Sequence, residues 1–113
     1  MINLVHNVFG ADYEVLIGER SEIGLDEDHL GVCRVYAKKI LVAIDKQDCD
    51  EKELQVRTQE VVAHEIFHAY LNEAGLELEE NLEERLADFY MKNWRKMSNS
   101  IFEVLDKSGF LDK

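Results

Sequence analysis

His64, Glu65 and His68 form a His-Glu-x-x-His segment inside a stretch whose apolar residues recur every three or four positions. Two histidines four residues apart lie one turn apart on the same face of an α-helix, so both imidazoles can reach one cation. Glu65, beside the first histidine, points close to the same spot, where its carboxylate could take a proton from a water held by that cation. Ordinary residue usage gives this five-residue pattern by chance in on the order of one in a few hundred chains of this length. A further ligand on a second helix is therefore what would turn the motif into a site.

A zinc site for hydrolysis takes three protein ligands and leaves one position open for water. Sixteen residues after His68 comes Glu84, and Asp88 follows four residues later. On a helix these two carboxylates share a face, as the histidines do. Glu84 is the candidate third ligand, and Asp88 the acceptor for the spare ring N–H of a ligand histidine, a bond that fixes the tautomer and aims the ring. Glu83 and Glu80 compete with Glu84, because residues 73–88 are crowded with carboxylates; the Asp88 spacing favours Glu84. Asn81 and Glu84 also fit the spacing of a capping box, in which Glu84 would bond a helix start instead of a metal.

His64-Glu65-x-x-His68 followed by Glu84-x-x-x-Asp88 resembles the gluzincin class of zinc metallopeptidases. The small size, the hairpin before the motif helix and the run Glu84-Arg85-Leu86-Ala87-Asp88-Phe89 look most like minimal, often phage-encoded members, and are similar to the ImmA/IrrE-type metallopeptidases. The resemblance covers roughly residues 30–95. It implies a zincin-like fold, Zn²⁺ bound by His64, His68 and Glu84, and Glu65 as general base and then general acid in hydrolysis of a peptide or protein substrate. It also implies a strand before the motif helix, near Ile40 to Ile44, that lies along the cleft edge and pairs with an extended substrate. The donor that would steady the oxyanion is left open among Tyr36, Tyr70, Tyr90, His29 and Arg85. The alternative function is a zinc-stabilised binding or regulatory module that cleaves nothing; retention of Glu65 counts against it, since a structural site has no use for a base.

The elements that must position these groups are legible from pattern. Residues 2–5 and Tyr13 to Gly18 read as strands, and the acidic segment Ser21 to Gly31 as a loop. Residues 32–36 and 40–44 are β-rich runs joined by Ala37-Lys38-Lys39, which predicts an antiparallel hairpin. After Asp45 the period changes. Asp48 or Asp50 caps a helix over about 51–73, with Gly75 just past its end. A second helix is expected over about 81–96, packing through Leu82, Leu86, Phe89, Tyr90 and Trp94. A short third one follows, capped by Ser98 or Ser100. Tyr70, Phe67, Phe89 and Trp94 are expected in the core, as is Cys33. Strands first and helices after make the class α+β: a small N-terminal antiparallel or mixed sheet packed on the motif helix.

The 113 residues suit one domain, 1–113. An apolar content of 46% and a mean hydropathy of −0.30 describe an ordinary globular chain. A formal charge of −11 argues against a nucleic-acid partner, which requires clustered Lys and Arg. No apolar run reaches the roughly 20 residues of a membrane span, and residues 1–6 lack the basic start of a signal peptide, so no membrane association and a cytoplasmic location are expected. Cys33 and Cys49 are not paired as C-x-x-C, and two free thiols are the expected state.

Overall fold

The computed structural model describes residues 1–46 and 49–109. Among the described residues, seven elements follow in the order β1 (Ile2–Val8), β2 (Ala11–Gly18), α1 (Arg20–Ile23), β3 (Gly31–Arg34), β4 (Lys39–Ala43), α2 (Glu51–Glu73) and α3 (Glu80–Ser108). This is the expected α+β order. The short helix α1 falls in the segment expected to be loop.

The four strands form one mixed sheet in the order β1-β2-β4-β3. β1 and β2 are an antiparallel hairpin, and β3 and β4 another; β2 and β4 run parallel, with Val15 opposite Ile40 and Ile17 opposite Val42. The β1–β2 turn uses positive φ at both Phe9 (48°) and Gly10 (92°), the pairing that matches the twist of a two-residue hairpin. Asn7 steadies it by accepting the Gly10 N–H at 2.9 Å.

This order corrects one expectation. The strand before the motif helix, β4, lies in the sheet interior between β2 and β3, not along the cleft edge. Its sequence gives the reason: Ile40, Leu41, Val42 and Ala43 are all buried, as in a strand covered on both faces. The exposed edge on this side is β3.

Each face of the sheet has its own core. Val8, Tyr13, Val15, Ile40 and Val42 face α2 and pack with Ala69, Val62 and Ile66. Leu41 and Ala43 face the other way, where Ile23 and Leu25 cover them. α2 starts where Asp50 accepts the Glu53 N–H at 2.8 Å, and Gly75 beyond its end takes φ +72°. The alternative cap Asp48 lies outside the described residues.

The chain then turns in a few residues, so α3 returns antiparallel along α2. Tyr90 stacks on Phe67 with ring centroids 5.1 Å apart, and Arg95 donates to Gln59 at 2.6 Å. α3 is one continuous helix through Ser108, not two, because nothing between Lys96 and Ser100 breaks it: a serine in mid-helix needs no cap. Its apolar residues are also placed otherwise than expected. Ala87 is fully buried against the motif helix, whereas Leu82, Leu86 and Phe89 are exposed. The face bearing Glu83, Ala87 and Met91 turns inward, so residues one step round the helix turn out. No helix among the described residues is long and apolar enough to cross a membrane.

Candidate metal centre

The antiparallel helix pair brings the sequence-selected residues together. His64 and His68 share one face of α2, with Nε2 atoms 3.2 Å apart. Glu84, in the second turn of α3, reaches both: Oε2 lies 3.3 Å from His64 Nε2 and Oε1 lies 3.0 Å from His68 Nε2. One ligand atom from each residue fits within 4.8 Å of the others. Glu84 is therefore not a capping-box residue. α3 begins at Glu80 after Glu79, and Asn81 is already inside the helix.

The remaining ring nitrogens face carboxylates as well. His64 Nδ1 lies 3.2 Å from Asp88 Oδ1, where the sequence placed a second carboxylate. His68 Nδ1 meets Glu83 Oε2 in a short contact that the spacing had presented only as a rival ligand. When each Nδ1 donates its N–H to the carboxylate behind it, as in a metal-ligand imidazole, each Nε2 is left with the lone pair that a cation needs. Two lone pairs and a carboxylate then converge on one point, with both rings mostly buried. One proton could relieve one of these contacts; a divalent cation relieves all three. Bonds of about 2.0–2.1 Å to a tetrahedral zinc set its ligand atoms about 3.3 Å apart, close to the distances here. The donor set of two imidazoles and one carboxylate suits zinc.

Glu83→Gln and Asp88→Asn should each weaken zinc binding by about 10–100-fold without abolishing it, because each removes an orienting carboxylate and spares the ligands. A competitive zinc titration of both variants checks this. Wild-type affinity in either one would remove that residue's role.

Glu65 lies on the same helix, only 7% exposed. Burial pushes its carboxyl up to about 7; the Glu84 charge adds to the rise, and His68 and His29 oppose it. A cation beside it would favour the charged form again. Glu65 is buried because β3 passes directly over it at Gly31. A Cβ at Gly31 would lie 2.6 Å from Val61 Cγ1 and 3.0 Å and 3.1 Å from Glu65 Cγ and Oε2. Gly31 is thus a close-packing position over Glu65 that the sequence shows only as the end of a loop. Gly31→Ala should lose about 1–3 kcal/mol of stability, the usual result of overpacking, and should displace Glu65. Thermal unfolding reads the loss; a wild-type melting temperature would contradict the close approach.

A cleft of about 730 Å³ opens over these groups, lined by His64, Glu65, His68 and Glu84, by Gly31 to Cys33 of β3, and by His29. Cys33 belongs to its wall and to the core. Burial, with the Glu65 and Glu83 charges adding, pushes its thiol up to about 12, so it remains a packed thiol rather than a thiolate ligand. Cys33 and Cys49 are both free.

The chain matches no family model, no curated protein and no solved structure.

Proposed function

We propose that the protein is a minimal zinc-dependent peptidase with a zincin-like fold, holding the metal through His64, His68 and Glu84. The observation that carries this is the convergence of two imidazole Nε2 atoms and one carboxylate, each ring met from behind by its own acid. When bound, zinc supplies Lewis acidity, which polarises a carbonyl and makes water acidic enough to ionise near neutral pH.

The chain's own residues do the rest. Glu65 accepts the proton of the attacking water and delivers it to the leaving amine nitrogen as the C–N bond breaks. Its burial under Gly31 keeps bulk water from competing for that carboxylate. Asp88 and Glu83 hold His64 and His68 in the tautomer that points Nε2 at the metal. β3 offers an open sheet edge along the cleft, where an extended peptide would pair main chain to main chain. The substrate class is accordingly a peptide or an unfolded protein segment.

The test is cleavage of a broad panel of peptides and unfolded proteins by protein purified without added metal. Activity should vanish with a zinc chelator and return on adding zinc. Cleavage untouched by the chelator would exclude the proposal, and binding without cleavage would favour the module reading.

A further inference from the structure

Amide hydrolysis places negative charge on the carbonyl oxygen as water adds, and a preorganised donor aimed at that oxygen lowers the barrier. The structure narrows the five sequence candidates for this donor. Tyr36 is 99% exposed at the β3–β4 turn. Tyr70 packs edge-on against Phe9 and lies near His6, and Tyr90 is stacked on Phe67. Arg85 is exposed and does not line the cleft. His29 does line it, together with His64, Glu65 and His68. Apart from the two motif histidines, it is the one side chain among the described cleft residues able to carry positive charge.

His29 is also held in place. Its Nδ1 lies 2.8 Å from Asp26 Oδ1, and the same oxygen accepts the Asp28 N–H at 3.0 Å. The Arg20 guanidinium donates to the main-chain carbonyls of both Asp26 and His29, and reaches Asp45 at 3.5 Å. The loop is thus clasped at both ends by one side chain. With Nδ1 committed to Asp26, Nε2 is the ring atom with no hydrogen-bond partner among the described residues. The charged groups facing the ring are Asp26 and Asp28 on its own loop and Glu65 on α2; all three are acids, and they raise its pKa, the Asp26 hydrogen bond most.

We propose that His29 is the oxyanion donor of this site: anchored to Asp26 through Nδ1 at the wall of the cleft, it donates from Nε2 to the carbonyl oxygen of the scissile amide. This rests on the peptidase reading above. His29 gives up no proton; Glu65 carries the proton from water to the leaving nitrogen, and His29 donates a hydrogen bond only. Asp26 is a positioning residue, acting through the imidazole.

The test uses the full chain loaded with zinc and two probes, a phosphonamidate dipeptide analogue with a tetrahedral anionic phosphorus centre and the matching dipeptide amide. Calorimetry on wild type, His29→Ala, His29→Gln and Asp26→Asn is accompanied by zinc content for each. His29→Ala should bind the analogue about 10²–10³-fold more weakly, the usual loss for one oxyanion donor. Its zinc content and its affinity for the amide should stay at wild-type values. His29→Gln, which keeps an N–H, should recover part of the loss. Wild-type affinity for the analogue should fall as pH rises through the raised His29 pKa, and Asp26→Asn should move that fall to lower pH. Equal analogue affinity in His29→Ala and wild type overturns the proposal, as does an equal loss for the amide, which would mean a merely structural role. Zinc-loaded wild type that fails to bind the analogue overturns the peptidase reading with it, and leaves the metal site standing.

Discussion

Glu65→Gln is expected to fold, to hold its zinc, and to lose peptidase activity by at least the roughly 10²–10⁴-fold typical of a missing general base. The change is nearly isosteric, so the packing under Gly31 and against Val61 persists. The neutral amide also relieves a carboxyl whose burial opposes its charge, so stability should not fall. What the amide cannot do is accept the proton of water. Chelator-sensitive cleavage measured on wild type and variant, with zinc content alongside, reads the effect. Activity that survives the substitution would sink Glu65 as base. Zinc lost along with activity would make Glu65 part of the metal site, which its place beside the ligands does not suggest.

The second large effect separates neighbouring glutamates. Glu84→Ala, like His64→Ala and His68→Ala, should lower zinc affinity far beyond the roughly 10–100-fold expected for an orienting carboxylate. Glu83 is one residue away and has the same chemistry, yet its carboxylate meets His68 Nδ1 while Glu84 meets both Nε2 atoms. Glu83→Ala should therefore retain measurable high-affinity binding. The reverse ranking in a competitive titration would exchange the two roles.

Much of this arrangement was legible beforehand because it depends on helical periodicity. His64 and His68 at a spacing of four, and Glu84 and Asp88 at the same spacing, declare a shared face without any tertiary information. A short Gly75-containing connection implies an antiparallel return, which sets Glu84 against the histidines and Asp88 one turn further along. The hairpin of β3 and β4 was legible for a similar reason, from two β-rich runs and a polar link.

What escaped was set by tertiary packing. Whether β4 or β3 forms the edge depends on which strand pairs with β2, and the parallel β2–β4 pairing joins segments separated by α1 and β3. The Asp88 spacing favoured Glu84 over Glu83, but the place of Glu83 behind His68 was not legible, because adjacent helical residues differ by about 100° and only the interhelical register assigns one to Nε2 and the other to Nδ1. Gly31 carries no signal of its own, since its need for a bare Cα arises from Val61 and Glu65 on a distant helix. The exposed positions of Leu82, Leu86 and Phe89 follow from the same register: the face spent on carboxylates for the histidines cannot also carry the apolar seam.

Three ligand atoms converge between α2 and α3, and the proposal places a metal among them. The most direct measurement is the metal content of the wild-type protein purified without added metal, by mass spectrometry under non-denaturing conditions and by elemental analysis, with Glu84→Ala beside it. The account predicts one zinc per chain in wild type and a metal-free majority in the variant. Wild type that emerges without metal and takes up no stoichiometric zinc on addition would contradict it, leaving the histidines and glutamates as an ion-paired seam between two helices.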